Sequence, residues 1–317
     1  MRRTLLLFTL VFLYMIHLDA QDLDKGIKLY ESNKYDEAAK VLESISSRSA
    51  EYGKAQYLLG RIAFDQNDFD ESVDFFKEAV EKEPTAENYT WLGNAYGRYT
   101  QGLSKIRQGM VAPKIKKNYE KALEIDPNAI DALKGLMEYY SQAPAIMGGS
   151  FEKAEEKANT ILSLDKKEGY LALTTVYQRQ DNIPKAEDAY EKLVESDSAY
   201  RFSLGVFYQN HQKFEKAFKL YSEMVKRDSS NNMALYQIGR TSALWGEQPT
   251  EGITALELYL TRDLEENAPS YAGAKMRLAM IYEKQGDKDA ARRLYGEALK
   301  EDPEMQEAKQ GLKRIGK

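Results

Sequence analysis

In this chain a small residue is followed at a constant distance by a second small residue, and this regularity constrains the fold more than any other feature. The distance is 12 residues in five places: Gly26 to Ala38, Gly60 to Ser72, Thr174 to Ala186, Gly205 to Ala217 and Ala279 to Ala291. A fixed internal period is typical of repeat proteins, in which each repeat packs on its neighbours. The chain is therefore predicted to be a stack of similar repeats with one continuous core.

Each repeat is expected to be a hairpin of two helices. A bulky residue stands four positions after the second small residue, at Leu42, Phe76, Tyr190, Tyr221 and Tyr295. Proline closes several repeats, at Pro84, Pro127 and Pro303. The small residues would let the two helices approach closely, and the bulky ones would fill the space between neighbouring hairpins. Proline would stop the second helix because it cannot donate to the helical hydrogen-bond ladder.

The pattern resembles the tetratricopeptide repeat (TPR), a family with a period of about 34 residues. The matching residues are Tyr57 to Gly60 with Phe69, Phe76, Ala79 and Pro84, and Leu278 and Ala279 with Tyr282, Gly286, Ala291, Tyr295, Ala298 and Pro303. The resemblance implies an all-α fold, a right-handed α-solenoid of about eight hairpins with a C-terminal capping helix. The predicted array covers residues 21–303, with repeats near 22–52, 53–85, 86–127, 128–167, 168–197, 198–231, 232–270 and 271–303, and the cap is residues 304–317.

The first 20 residues have the layout of a secretory signal peptide. Two arginines precede an apolar run at residues 5–16, and Ala20 supplies the small residue at the expected cut. The apolar run is too short for a transmembrane helix, which needs about 20 apolar residues. We predict cleavage after Ala20, no integral membrane segment afterwards, and work in the periplasm of a Gram-negative bacterium. Secretion into the medium and an uncleaved N-terminal anchor are the alternatives.

Two repeats break the 12-residue interval. Gly93 and its counterpart Ile115 are 22 residues apart, and Gly135 and Ala154 are 19 residues apart. The first insertion, about residues 98–112, is expected to extend both helices of its hairpin. The second, residues 143–150, has the sequence Ala-Pro-Ala-Ile-Met-Gly-Gly-Ser.

The second insertion supports two hypotheses. It could be a loop that clamps a ligand over a groove, or a structural turn in which Pro144 ends one helix, the glycines adopt unusual φ angles and Ser150 caps the next helix. In the turn, Ile146 and Met147 would pack inward. We favour the turn because long ordered loops are only sometimes functional. With residues 136–140 before it and 153–154 after it, the segment resembles exported bacterial TPR proteins of uncharacterised type, which implies export and does not point to an activity.

Composition excludes several kinds of site. The chain has no cysteine and two histidines, so thiolate metal sites, cysteine nucleophiles and histidine pairs are excluded. The net charge of −5 disfavours nucleic-acid binding, which needs a basic face. The acidic turn at residues 65–70 lacks the glycine and the ligand spacing of a calcium loop. We expect no catalytic residue, no cofactor and no metal.

The family resemblance also implies where a partner would bind. In TPR proteins the first helix of each hairpin lines a concave face, with exposed positions three before, one after and four or five after the small residue. Here these positions carry aromatic, arginine, methionine, amide and acidic side chains: Tyr57, Arg61, Phe64, Asn94, Arg98, Gln178, Phe202, Gln209, Tyr236, Arg240, Met276, Met280 and Glu283. Aromatic residues and arginine are favoured at interfaces, and methionine adapts to varied partners. A carboxylate clamp is not expected, because Thr90 and Leu133 stand at two of its positions.

We therefore expect a non-enzymatic scaffold or adaptor that holds an extended peptide or a protein surface in the concave groove, in the cell envelope. The alternative is an exported glycan- or cell-wall-binding protein on the same scaffold. A third hypothesis, an enzyme that relies on carboxylates alone, rests on no motif.

Overall fold

The computed structural model describes residues 19–316, and all regular structure in that range is helical, which confirms the predicted all-α repeat fold. The predicted signal segment lies, up to residue 18, outside the described residues. The helices are α1 (19–31), α2 (Tyr35–Leu42), α3 (Tyr52–Asp65), α4 (Phe69–Lys82), α5 (Ala86–Gln101), α6 (Lys105–Ile125), α7 (Ile130–Gln142), α8 (Phe151–Leu164), α9 (Lys166–Arg179), α10 (Ile183–Ser196), α11 (Arg201–Asn210), α12 (Phe214–Arg227), α13 (Asn232–Trp245), α14 (Pro249–Leu260), α15 (Tyr271–Gln285), α16 (Lys288–Glu301) and α17 (Gln306–Ile315).

The helices form two compact units, an N-terminal unit, Met1–Asn182, and a C-terminal unit, Ile183–Lys317. Inside each unit a helix packs on the next one in sequence and often on the next but one, as in α5 with α6 and α7, and α13 with α14 and α15. This neighbour-only packing is the arrangement of an α-solenoid. Among the described residues, no helix combines the length and the apolar character needed to cross a membrane.

The two helices of a hairpin approach closely at the small residue, as predicted, and there a glycine faces a ring of the second helix. A methyl group on Gly60 would lie 2.9 Å from the ring of Phe76, and one on Gly205 would lie 2.4 Å from the ring of Tyr221. Both rings are fully buried. Any side chain at these glycines would therefore force the two helices of the hairpin apart.

Tyr119 shows how a ring also joins neighbouring hairpins. Its ring lies against Gly93 of its own hairpin, where a methyl group would approach to 2.7 Å, and against Gly135 of the next, where it would approach to 2.2 Å. The bulky residue thus fills the space between α5, α6 and α7. The prediction that such residues pack between hairpins is confirmed at this position.

The first insertion lengthens both helices of its hairpin, as expected. Helix α5 has 16 residues and α6 has 21, whereas α3 and α4 have 14 each. The added turns carry the C-terminal end of α5 and the N-terminal half of α6 beyond the repeat core. Two side chains of these turns, Ile106 and Met110, are among the most exposed apolar residues described.

The second insertion is a turn between α7 and α8. Pro144 follows α7, residues Ala145–Met147 form a 3₁₀ turn, and Gly148 has a φ of +88°. The hydroxyl of Ser150 accepts a hydrogen bond from the main-chain N–H of Lys153 and so caps α8. These features agree with the structural-turn hypothesis.

The turn does not pack as predicted, however. Ile146 is 96% exposed, so the expectation that it packs inward is wrong. The residue stands at the middle of the 3₁₀ turn, where no described element covers its side chain, while its neighbour Met147 is half-buried and faces α6. The turn therefore presents one apolar side chain outward and one inward.

Candidate functional site

Both insertions line one cavity in the N-terminal unit, with a volume of about 750 Å³. We call it the insertion pocket. Its walls come from the C-terminal end of α5, the N-terminal half of α6, α7 and the turn after α7, with one ring from α3. The side chains that matter most below are Phe64, Asn94, Arg98, Lys105, Glu138 and Met147.

Helix α6 forms one wall because its lining residues recur at helical spacing. They are Lys105, Gln108, Gly109, Ala112, Ile115 and Tyr119. Residues three or four apart lie on one face of a helix, so the stripe is continuous along the pocket. It runs from an exposed cation at the rim, through small and apolar residues, to the buried tyrosine at the floor.

The floor of the pocket is held by a hydrogen bond between two helices. The hydroxyl of Tyr119 donates to Oδ1 of Asn94 at 2.7 Å. Burial raises the pKa of Tyr119 above its ordinary value, so the hydroxyl keeps its proton and remains a donor. Because Asn94 accepts this bond with its oxygen, its amide N–H₂ group is the part that can serve a ligand.

The wall formed by the second insertion is fastened to α7. The hydroxyl of Tyr139 donates a hydrogen bond to the main-chain oxygen of Met147. On the opposite side, the Cε atom of Met147 lies 3.7 Å from where a methyl group on Gly109 would stand, so the turn also touches α6. The two insertions thus contact each other and close that side of the pocket.

The charged side chains of the pocket differ in their partners. Arg98 stacks on an aromatic ring, with its Cζ 4.6 Å from the ring centroid of Phe69. Glu138 has an oxygen 4.0 Å from Nη2 of Arg179. Within residues 19–316, neither Arg98 nor Lys105 has a carboxylate at ion-pair distance, so both cations are available to a ligand.

Three of the predicted site residues line the insertion pocket: Phe64, Asn94 and Arg98. Tyr57 and Arg61 lie near it but are engaged with each other and with rings. Nη1 of Arg61 donates to the Tyr57 hydroxyl at 3.0 Å, and the Arg61 Cζ atom is 3.9 Å from the ring centroid of Trp91. Burial and a hydrogen bond to Glu87 raise the pKa of Tyr57 to about 12. This pair is therefore part of the helix packing, with Arg61 half-buried.

Three predicted site residues in the C-terminal unit are buried, and the expectation that they are exposed to a partner is corrected. Gln209 is 4% exposed, Tyr236 is 8% exposed and Met276 is 4% exposed. Gln209 bonds across to α13, donating to Oγ1 of Thr241 at 2.7 Å and accepting from Nη1 of Arg240 at 2.7 Å. For Gln209 and Tyr236 the first helix of the next hairpin contributes to the burial, since Tyr236 lies against Gly273 of α15, and a rule based on one hairpin does not describe such contacts.

The remaining predicted residues are dispersed. Gln178 is exposed on α9, and Phe202 is half-buried with its ring 5.8 Å from that of Tyr221. Met280 is half-buried, and its sulfur accepts from Arg277 at 3.3 Å. Glu283 accepts two hydrogen bonds from Arg314, at 2.7 and 2.9 Å.

Sequence reasoning missed most of the pocket lining, including Lys105, Gln108, Glu138, Tyr139 and Met147. The signal that could have found them was the pair of broken intervals, since both insertions turned out to face the same cavity. Among the described residues, no group of three or more His, Asp or Glu side chains is placed to hold a metal ion.

The chain is similar in sequence to one repeat family. A family profile described as tetratricopeptide repeat matches residues 23–87 and 171–232, and a second profile of the same description matches residues 272–305. These segments lie in both units and flank the two insertions, which neither profile includes. None of the curated proteins compared with the chain matches it.

The chain is also similar to solved TPR structures, one of which has a TM-score above 0.5 and shows the same fold. The C-terminal part of a TPR repeat-containing protein from Cytophaga hutchinsonii matches with a TM-score of 0.52 at 14% identity, over 92% of this chain and 99% of that chain. A tetratricopeptide repeat protein from Parabacteroides merdae matches with a TM-score of 0.48 at 14% identity, over 95% and 100%. A thermophilic TPR protein from Thermus thermophilus matches with a TM-score of 0.47 at 21% identity, over 60% and 98%.

Proposed function

Because the chain belongs to the tetratricopeptide repeat family, whose fold serves as a protein–protein interaction scaffold, we propose that it is a non-enzymatic scaffold that holds a segment of a partner protein in the insertion pocket. One observation carries the proposal. The two insertions, which break the 12-residue interval at separate places in the sequence, converge on one cavity. Insertions that are not needed for the packing of a repeat array are expected to carry its binding function.

The lining of the pocket suits a peptide. Ligand sites combine apolar walls with a few polar groups that fix orientation, in cavities of roughly 300–1,000 Å³. Here the apolar walls are Ala112, Ile115 and Met147, and amide groups stand among them at Asn94 and Gln108. The floor and one wall are already held by hydrogen bonds, so little ordering is needed when a partner binds.

The same lining supports a binding role over a catalytic one. Glu138 is the single carboxylate among the described residues that line the pocket, and it is close to Arg179. The described lining therefore has no pair of carboxylates of the kind that hydrolytic enzymes such as glycosidases use. We therefore propose no enzymatic activity for this site.

A glycine of α5 offers a direct test of the proposal. Gly97 lines the pocket, and nothing lies within 4 Å of where its Cβ would stand. Gly97→Trp would place a large ring in the open space without a clash at its base. Gly296 of α16 also has nothing within 4 Å, so Gly296→Trp is the matched control in the C-terminal unit.

The measurement is crosslinked capture of partners by the tagged chain from native cells, read by quantitative mass spectrometry. We expect a stoichiometric protein partner with the unchanged chain and Gly296→Trp, and its loss with Gly97→Trp at unchanged helicity. Equal capture of the partner by Gly97→Trp and Gly296→Trp would show that the partner does not bind in the insertion pocket. Capture of glycan and no protein would contradict the protein-binding proposal and support the carbohydrate-binding alternative.

We further propose that the protein works in the cell envelope after export. The support is the pattern of residues 1–20, with its two arginines, short apolar run and Ala20. Cell fractionation and N-terminal sequencing test it: an envelope protein beginning at Gln21 is expected, and a cytosolic protein that retains Met1 would contradict it.

A further inference from the structure

The insertion pocket lies in a segment whose charge differs in sign from that of the whole chain. Residues 88–119 contain six basic residues and no acidic residue, although the chain has a net charge of −5. The six are Arg98, Lys105, Arg107, Lys114, Lys116 and Lys117. This segment includes all but the first two residues of α5 and the first 15 residues of α6, and both helices line the pocket.

The two cations that line the pocket have no carboxylate partner among the described residues. Lys116 pairs with Glu120 at 3.3 Å, and Lys114 lies over the ring of Tyr96. By contrast, Arg98 and Lys105 have no carboxylate at ion-pair distance within residues 19–316, and both line the rim with exposed side chains. Two cations without a carboxylate partner, in a protein that is acidic as a whole, favour a partner that carries negative charge.

Apolar side chains of both insertions are exposed beside this rim. Ile106 and Met110 stand one helical turn apart on α6 and are 81% and 72% exposed, and Ile146 stands next to Met147 in the 3₁₀ turn. Met147 reaches Gly109, so these exposed residues flank the place where the two insertions meet. Exposed apolar residues rimmed by charge are typical of interaction sites.

We propose that the occupant of the insertion pocket is an acidic peptide segment of another protein, with carboxylates that pair with Arg98 and Lys105 and an apolar side chain that enters the pocket and packs on Ala112 and Ile115. This inference rests on the proposed function and specifies its partner class. Glu138 does not oppose it, since Arg179 lies beside that carboxylate. A peptide is favoured over nucleic acid because the apolar lining includes Ala112, Ile115 and Met147, and because the most exposed apolar side chains of the two insertions are aliphatic, whereas single-stranded nucleic acid is held by exposed aromatic rings.

Three labelled synthetic peptides test the charge preference by fluorescence anisotropy. In the first, aspartate alternates with leucine; in the second, asparagine replaces aspartate; in the third, lysine replaces it. We expect the aspartate peptide to bind roughly tenfold more tightly than the asparagine peptide at low ionic strength. The difference should shrink in added salt, because exposed ion pairs are screened.

Variants then assign the preference to the two cations. Arg98→Gln combined with Lys105→Gln should make the aspartate and asparagine peptides bind equally, whereas Lys300→Gln, an exposed lysine of α16, should leave the preference intact. Lys105→Gln alone should remove about half of the preference on a logarithmic scale. That variant matters because Lys105 makes no stacking contact that its loss could disturb.

The outcomes separate this inference from the proposed function. If the aspartate and asparagine peptides bind equally and Gly97→Trp abolishes both, the pocket binds peptides and the charge inference is overturned. If the aspartate peptide binds and Gly97→Trp changes nothing, the placement in the pocket fails and the inference fails with it. No binding, tighter binding of the lysine peptide or tighter binding of a labelled single-stranded oligonucleotide overturns the acidic-peptide class.

Discussion

The hydroxyl of Tyr139 donates a hydrogen bond of 2.6 Å to the main-chain oxygen of Met147. This bond joins a core helix of the repeat to an inserted turn that the repeat does not specify. The ring of Tyr139 is buried, and its burial raises the pKa of the hydroxyl, so the donor is present throughout the physiological pH range. The turn therefore has a defined position at the pocket wall.

Tyr139→Phe should loosen that wall. The substitution keeps the ring and removes the donor, and it should cost about 0.5–1.5 kcal/mol of unfolding free energy. Urea denaturation measures this cost, and limited proteolysis should show faster cleavage within residues 144–148. Tyr99→Phe is the control, because the Tyr99 hydroxyl makes no hydrogen bond to any described residue. Equal proteolysis of the two variants would show that the bond does not hold the turn.

Gly205→Ala should destabilise the C-terminal unit. The new methyl group would meet the ring of Tyr221 at 2.4 Å, and overpacking of this kind costs roughly 1–3 kcal/mol. Gly296→Ala, where nothing lies within 4 Å, should stabilise α16 by about 0.5–1 kcal/mol because alanine favours the helix. Thermal unfolding followed by circular dichroism compares them, and a stabilised Gly205→Ala protein would contradict the ring–glycine account of helix packing.

Substitution of Arg61 should change the fold as well as any binding. Its guanidinium lies 3.9 Å from the Trp91 ring centroid, so Arg61→Ala should cost roughly 0.5–2 kcal/mol and alter Trp91 fluorescence. The measurement is made in a Trp245→Phe background, which leaves Trp91 as the single tryptophan. An unchanged emission spectrum and unchanged stability would show that this stacking contributes nothing.

The stability of the C-terminal unit should depend on Glu187 at low pH. Burial raises the pKa of Glu187, but hydrogen bonds from Lys213 and Lys216 outweigh burial and hold the pKa below its ordinary value of 4.5. A folded-state pKa below the unfolded one means that the contribution is complete at neutral pH and is lost as the pH falls through the lowered pKa.

Glu187→Gln tests that dependence. At neutral pH it should lower the unfolding free energy by on the order of 1 kcal/mol, since both lysines are partly exposed. The difference between the two proteins should narrow between about pH 5 and pH 3, as the native carboxylate takes up its proton. A difference that stays constant over this range would mean that the ion pairs are not its source.

The sequence predicts the hairpins well because their packing depends on local spacing. A glycine and a ring 16 positions apart, such as Gly60 and Phe76, meet whenever two helices of fixed length are joined by a short turn. The exposure of side chains on the first helix of each hairpin was predicted less well. Gln209 bonds to Thr241 of the next hairpin, and no rule confined to one repeat describes that contact.

The pocket could not be predicted for a related reason. The interval pattern shows where residues were added, at 98–112 and 143–150, but not where the added turns point. Their meeting depends on the contact between Met147 and the backbone of α6 at Gly109, which joins two separate repeats. The exposure of Ile146 is set by the geometry of the same turn.

Gly93 and Gly97 stand one turn apart on α5 and have opposite surroundings. The ring of Tyr119 occupies the space beside Gly93, whereas Gly97 faces open space in the pocket. Along α5, positions that pack against another helix therefore alternate with positions that face the pocket. Few positions do both. A mutational library confined to residues 98, 101, 105 and 108 would explore new binding specificities without touching the glycine–ring contacts, so recognition in this protein is free to diverge, or to be engineered, at little cost to folding.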